Sequence, residues 1–206
     1  MTSLTTKTLA QAARELAARE ETLGRVFNTY GAPPMWRRAT GFPTLVHIIL
    51  EQQVSLKSAK AMLLRLQAAI DPFTPERFVE LGDEYFRRLG VTRQKSAYLV
   101  HLSSSILNGD LSLTRLSRMS DDEVRGRLTQ IKGIGSWSAD VYLLMAMRRP
   151  DVWPAGDLAL AVAVKELWNL QLRPTPDELE RIAERWRPYR AVAARMLWQH
   201  YLFRDR

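Results

Sequence analysis

Apolar residues recur at intervals of three and four positions along nearly every segment of this chain, and no segment shows sustained apolar/polar alternation beside an Asn-Gly or Asp-Gly turn. The first pattern puts apolar side chains on one face of a helix, whereas a half-buried strand would need the second. The 206 residues, 46% of them hydrophobic, suffice for one large or two small domains. We therefore predict an all-α protein.

The predicted helices are interrupted where proline and glycine collect. A first helix is expected over residues 8–30, and the segment GAPPMWRRATGFP that follows it, residues 31–43, cannot continue it without a break. This segment is the candidate crossing between two lobes, a terminal lobe of residues 1–35 and 151–206 and a central lobe of residues 36–150. Further helices are predicted over residues 44–53, 56–70, 75–81, 83–89, 94–108, 121–131, 137–147, 157–169, 176–186 and 188–203.

Charge and composition narrow the function classes. With 30 Lys and Arg against 22 Asp and Glu, the formal net charge is +8, which favours a polyanionic partner such as nucleic acid. The absence of cysteine excludes disulfides, cysteine-ligated zinc or iron–sulfur centres and a cysteine nucleophile. The three histidines lie too far apart to argue for a metal site. No apolar run approaches the roughly 20 residues needed to cross a bilayer, so no membrane partner is expected.

The stretch IKGIGSWSADVYLLMAM, residues 131–147, places two glycines around one isoleucine between a polar and an apolar helix. Gly133 and Gly135 permit a sharp turn with positive φ, and Ser136 is a suitable cap for the helix that follows. Such a turn exposes backbone amides at a helix N-terminus, where a phosphate oxygen can bind. On these residues alone, a plain connection between antiparallel helices is an equally good interpretation.

The longer segment LTQIKGIGSWSADVYL resembles the helix-hairpin-helix motif of DNA-binding proteins. The resemblance implies that Ile134 fixes the hairpin from beneath and that Ala139 lies where the two helices touch. Contacts of this motif position DNA without reading its sequence, because they go to phosphates. The DNA-contacting residues that it implies are Lys132, Gly133, Ile134, Gly135 and Ser136.

A Gly-Asp pair at a predicted helix start follows the hairpin, in RPDVWPAGDLALAVAVKELW. With the hairpin, this pair resembles the helix-hairpin-helix DNA glycosylase superfamily. Residues 42–66, 90–102 and 174–198 resemble its 3-methyladenine DNA glycosylase II branch, which removes alkylated bases. The resemblance implies a two-lobed fold with the active-site cleft between the lobes. It also implies an enzyme that flips alkylated purines out of double-stranded DNA, hydrolyses their N-glycosidic bond and so initiates base excision repair.

This pattern assigns the catalytic role to Asp157. Alkylation at N3 or N7 already makes a purine a good leaving group, so the main remaining need is a negative charge near the sugar, where oxocarbenium-like character develops. Local sequence alone favours a helix N-cap, since Asp after Gly at a helix start is a common cap. The two roles are compatible.

A flipped nucleotide leaves a gap in the duplex. In this family, the segment that matches EQQVS, residues 51–55, supplies the side chain that fills the gap, which places Gln53 at the wedge with Gln52 beside it. The alternative is that both glutamines are merely solvated at the end of an apolar helix.

Tryptophans bear on both the reaction and the pocket. Superfamily members that also cut the DNA backbone have a lysine where this chain has Trp137, so the resemblance implies a monofunctional enzyme that forms no Schiff base. A cationic base stacks well on aromatic rings, and Trp198, Trp137 and Trp36 are the pocket candidates. Core packing is the alternative for each. Val141 stands where a relative has an aromatic residue, which leaves the preference among damaged bases open.

The expected partner is double-stranded DNA with damaged bases, and a monomer is the default. No cofactor is expected to be required, although the hairpin loop could hold a structural monovalent cation. Basic clusters at residues 35–38, 87–95 and 147–150 are expected to flank the DNA in part. The main prediction is a glycosylase for 3-methyladenine, with 7-methylguanine as a further candidate substrate. Two alternatives remain: a non-catalytic helix-hairpin-helix module that binds DNA, and a glycosylase for other damaged bases.

Overall fold

The computed structural model describes residues 3–204 as helices joined by short loops, and within that range no residue is in a strand. The prediction of an all-α protein is confirmed. A single turn of 3-10 helix follows α11. The α-helices are α1 Thr6–Arg19, α2 Glu21–Tyr30, α3 Phe42–Glu51, α4 Leu56–Ala69, α5 Pro75–Arg88, α6 Arg93–Leu107, α7 Leu113–Leu116, α8 Asp121–Thr129, α9 Ser136–Met145, α10 Leu158–Leu167, α11 Pro176–Ala183 and α12 Arg190–Phe203. No helix in this range is long and apolar enough to cross a membrane.

The prediction of one helix over residues 8–30 is wrong, because the chain breaks at Glu20. This residue is extended, with φ −133° and ψ 109°, and it separates α1 from α2. Gly24 then lets the second helix approach the first, since a Cβ on Gly24 would lie 2.8 Å from the carbonyl oxygen of Ala17. The break escapes sequence analysis because neither proline nor glycine marks it.

The chain divides into two compact units, a terminal unit formed by residues up to 37 together with those from 143 onward, and a central unit of residues 38–142. The lobe boundaries drawn from the sequence, at residues 35/36 and 150/151, stay a prediction.

Helix α12 is the centre of the terminal unit. Every residue from Arg190 to Gln199 is buried, so this helix has no solvent face over most of its length. It packs against α1, α2 and α10, whose apolar faces include Leu16, Leu23 and Leu160. Each such fully buried side chain stabilises the fold by about 1.5–3 kcal/mol relative to exposure.

One charged side chain lies inside this apolar unit. The Arg195 guanidinium is fully buried and donates hydrogen bonds to the carbonyl oxygens of Leu144 at 2.7 Å, Met35 at 3.1 Å and Ala191 at 3.1 Å. Burial lowers the pKa of Arg195 to about 10. The side chain thereby links α12 to the last turn of α9 and to the segment that precedes Trp36.

The central unit combines an aromatic core with the hairpin between α8 and α9. Phe42, Phe78 and Phe86 are buried, and the ring centroid of Phe78 lies 4.9 Å from that of Phe42 and 4.9 Å from that of Phe86. Ile134 and Ala139 are also buried, as the hairpin motif requires. Arg125 of α8 and Asp140 of α9 form an ion pair at 2.8 Å that joins the two hairpin helices.

Gly133 is the most constrained residue of this hairpin. Its φ of +94° is one that side chains with a Cβ rarely adopt. A Cβ at this position would also lie 2.7 Å from the Cβ of Tyr98 and overlap its ring. Gly135 differs, because its φ is not positive and a Cβ there would meet nothing within 4 Å.

Replacing Gly133 by alanine is therefore expected to lower the free energy of unfolding by about 2–4 kcal/mol, the sum of an unfavourable φ and an overlap with Tyr98. Gly135→Ala is the matched control and should lower this free energy by only about 0.5–1 kcal/mol, because alanine is a poorer N-cap than glycine. Urea unfolding followed by circular dichroism measures both. Equal stabilities of the two variants would contradict the account of Gly133.

Replacing Arg195 by methionine is expected to lower the free energy of unfolding by at least about 2 kcal/mol, because the buried carbonyls of Met35 and Leu144 lose their donor. Arg14→Met, at an exposed position of α1, serves as the control and should stay within about 0.5 kcal/mol of the parent chain. The same urea titration applies. An Arg195→Met variant as stable as the parent would mean that the cost of burying the charge cancels its hydrogen bonds.

Candidate active site and DNA interface

Asp157 occupies the N-cap of α10, as local sequence predicts, but its surroundings go beyond a cap. The same oxygen, Oδ1, accepts a hydrogen bond from the backbone amide of Leu160 at 3.0 Å and from the indole Nε1 of Trp198 at 3.1 Å. Only 8% of the residue is exposed. Two donors from different helices therefore fix the direction of this carboxylate.

The structure brings two predicted pocket residues together beside Asp157. Trp198 is buried and stands edge-on to Trp36, with ring centroids 6.4 Å apart and an interplanar angle of 69°. Trp36 has a φ of +44°, so its backbone is held in an unusual conformation. Trp137 lies on α9 within the central unit and is half-buried. The base-stacking roles of all three stay predictions.

A shallow, largely open cavity of about 510 Å³ borders Asp157, and the predicted pocket residues Trp36, Trp137 and Trp198 are not among the residues that line it. Its walls include the exposed side chains of Leu158 and Leu172 and the guanidinium-bearing residue Arg173. None of these three residues is among the site residues predicted from the sequence. Leu158 could have been found as the neighbour of Asp157, whereas nothing in the local pattern marks Leu172 or Arg173.

The predicted wedge segment begins where α3 ends. Gln53 is exposed and has a φ of +58°. Gln52 is half-buried, and its Nε2 donates to the carbonyl oxygen of Gly133 at 2.8 Å and to Oγ of Ser138 at 3.0 Å. The two glutamines therefore have different environments, since one side chain is held against the hairpin and the other is exposed.

Three long side chains, absent from the predicted site, hold the end of α3. Arg38 forms a two-pronged ion pair with the buried Glu51, at 2.6 and 2.7 Å. His47 lies 3.5 Å from the same carboxylate, and burial lowers its pKa. Lys95 donates to the carbonyl oxygen of Leu50 at 2.7 Å, and burial also lowers the pKa of this lysine. Arg38 and Lys95 thus serve the fold, although both belong to the basic clusters expected to flank DNA.

In the hairpin itself, the prediction that Ser136 caps α9 is wrong. The helix begins at Ser136, and the carbonyl oxygen of Gly135 accepts the first helical hydrogen bond, so Gly135 is the N-cap residue. Among residues 3–204, the amides of Gly135 and Ser136 have no hydrogen-bond acceptor. Lys132 is exposed beside them. These groups can donate hydrogen bonds to an anion, and their contact with DNA stays a prediction.

Within residues 3–204, no three His, Asp or Glu side chains form a group able to hold a metal ion. A monovalent cation at the hairpin would need backbone carbonyls. Those of Ile131 and Gly133 already accept hydrogen bonds from Ile134 and Gln52. The cation, and the absence of any required cofactor, stay predictions.

The chain is similar to several named proteins. DNA-3-methyladenine glycosylase 1 of Schizosaccharomyces pombe is 30% identical over 77% of this chain and 71% of its own length. DNA-3-methyladenine glycosylase of Bacillus subtilis is 28% identical over 79% of this chain and 59% of its own length. Another Bacillus subtilis relative is covered to 64%. The chain therefore spans about three fifths to seven tenths of the length of these relatives.

Structural comparison agrees with these matches. The Schizosaccharomyces pombe 3-methyladenine DNA glycosylase Mag1, solved in complex with abasic DNA, superimposes with a TM-score of 0.86 at 27% sequence identity, over 95% of this chain and 98% of that one. A family model described as the HhH-GPD superfamily base excision DNA repair protein matches residues 46–188, which include the wedge segment, the hairpin and Asp157. The chain belongs to the HhH-GPD superfamily of base excision DNA repair proteins.

Proposed function

We propose that this protein is a monofunctional DNA glycosylase that removes alkylated purines from double-stranded DNA, with 3-methyladenine the first expected substrate and 7-methylguanine the second. The observation that carries the proposal is Asp157, a nearly buried carboxylate aimed by Trp198 and bordering a cavity of about 510 Å³. The names of the relatives support the same substrate class.

The reaction needs one carboxylate and one water molecule. The bond between C1′ and the base breaks with its electron pair going to the base, which neutralises the positive charge that alkylation placed there. Asp157 stabilises the cationic sugar that develops, and water adds to C1′ and releases one proton to the solvent. The products are a free base and an abasic site. Trp137 replaces the lysine needed for a Schiff base, so the backbone stays intact.

The aromatic pair has two tasks in this proposal. Trp198 orients Asp157 through its indole N–H, and Trp36 and Trp198 offer π surface to a cationic base. Because the indole N–H and the ring face act separately, one residue can do both.

DNA binding is proposed to come from the central unit. The free amides of Gly135 and Ser136, with Lys132, bind phosphate without reading sequence. Gln53 fits the wedge better than Gln52, because its side chain is exposed while that of Gln52 is hydrogen-bonded to Gly133 and Ser138. In this arrangement Gln52 fixes the wedge segment against the hairpin.

Asp157→Asn is expected to lower the rate of base release from methylated duplex DNA by about 10²–10³-fold, because the amide cannot offset the charge of the developing sugar cation. Asparagine caps a helix about as well as aspartate, so stability should change little. Release of free 3-methyladenine by chromatography and affinity for abasic-site duplex are the measurements. The proposal fails if parent and variant bind duplex equally and neither releases a base, which would favour the non-catalytic binding module.

Gln53→Ala is expected to weaken binding to an abasic-site duplex about tenfold, or about 1.4 kcal/mol, because nothing then fills the gap left by the flipped nucleotide. Fluorescence of 2-aminopurine next to the lesion reports the opening of the stack. Gln52→Ala is the companion variant and should instead lower stability by about 1–2 kcal/mol through the lost hairpin bonds. If Gln52→Ala abolishes the fluorescence change at unchanged stability while Gln53→Ala does not, the wedge is Gln52.

A further inference from the structure

We infer that Arg173 binds a backbone phosphate of the nucleotide whose sugar faces Asp157. The inference rests on the proposed function, since it concerns the same substrate, but it adds a phosphate site in the terminal unit, apart from the hairpin. Arg173 lies in the loop between α10 and α11 and lines the cavity that Asp157 borders.

Arg173 and Arg181 differ from the arginines that follow them, because neither makes a hydrogen bond or an ion pair among residues 3–204. Arg185, Arg187 and Arg190 form ion pairs with carboxylates in the same unit, at distances of 2.7 to 3.4 Å. Arg173 is exposed. Its five N–H donors are therefore available to a ligand in the cavity.

The position of Arg173 is fixed although its side chain is not engaged. Pro174, the next residue, is buried and has a restricted φ. The capping box of α11 follows at once, with the amide of Thr175 donating to Glu178 at 2.8 Å and the amide of Glu178 donating back to Thr175. The loop thus presents Arg173 from a rigid base, which lowers the entropic cost of binding.

The positive charge of Arg173 can offset the repulsion between Asp157 and a nearby phosphate, which the hairpin amides do not do. A carboxylate that serves the sugar repels the DNA phosphates around it, and this repulsion is strongest for the phosphate attached to the same sugar. An arginine on the wall of the same cavity offsets this repulsion and matches phosphate oxygens with paired donors. The exposed aliphatic side chains of Leu158 and Leu172 on the cavity wall suit the apolar faces of the sugar between the two charges.

The salt dependence of DNA affinity tests this assignment, because each phosphate contact contributes about 0.9 to the slope of log K against log salt on duplex DNA. We would measure the slope for the parent chain, Arg173→Gln, Arg173→Lys and Arg181→Gln. The two probes are a duplex with a central tetrahydrofuran abasic analogue and the same duplex undamaged. Arg181 is the matched control, because it is an exposed arginine on α11 outside the cavity lining.

On the abasic duplex, Arg173→Gln should lower the magnitude of the slope by about 1, while Arg173→Lys and Arg181→Gln leave it near the parent value. On undamaged duplex, where no nucleotide enters the cavity, Arg173→Gln should match Arg181→Gln. Equal slopes for Arg173→Gln and Arg181→Gln on both probes overturn the inference, as does an effect of Arg173→Gln that is the same on both duplexes.

Base release from methylated DNA by the parent chain separates this outcome from the fate of the proposed function. Release together with an unchanged Arg173→Gln slope rejects the phosphate site alone. A slope lowered only on the abasic duplex, with no base released, supports the phosphate site and rejects the glycosylase. If the parent chain binds neither duplex, both the phosphate site and the proposed function are rejected.

Discussion

The hydrogen bond from the Trp198 indole to the Asp157 carboxylate is the contact on which the candidate active site depends. An N-cap alone would hold one oxygen from within its own helix, whereas Trp198 holds the same oxygen from α12. Because α12 is buried along most of its length, Trp198 can hardly move without disturbing the core of the terminal unit. The packing of that core therefore restricts the movement of the Asp157 carboxylate.

In the central unit, polar contacts hold the end of α3 and the hairpin in place. A helix end and a hairpin must be held in a fixed relation if both are to touch one duplex, and the Gln52 amide provides that link through Gly133 and Ser138. Ion pairing of Glu51 with Arg38 and the bond from Lys95 to Leu50 secure the helix end from the other side. The side chains of Glu51, Gln52 and Lys95 are therefore hydrogen-bonded to defined partners, whereas polar side chains at a helix end are more often solvated.

Features that depend on neighbours in sequence were predictable. The helical spacing, the sharp turn at Gly133 and the cap at Asp157 follow from local pattern, whereas the burial of Ile134 was expected from the resemblance to the hairpin motif. The contacts that hold the candidate site residues in place join distant positions, such as Trp198 with Asp157 and Gln52 with Gly133. Local pattern carries no signal for such pairs. The break at Glu20 was missed because neither proline nor glycine marks it.

Arg195 has a consequence for how the terminal unit tolerates sequence change. All three of its acceptors are backbone carbonyls, and every amino acid supplies a carbonyl. Substitutions at Met35, Leu144 or Ala191 therefore leave the acceptors in place, as long as the backbone keeps its course. A salt bridge is lost when either of its two side chains is substituted. This link depends on the side chain at position 195 alone, so homologous chains can vary at the three acceptor positions and still keep it.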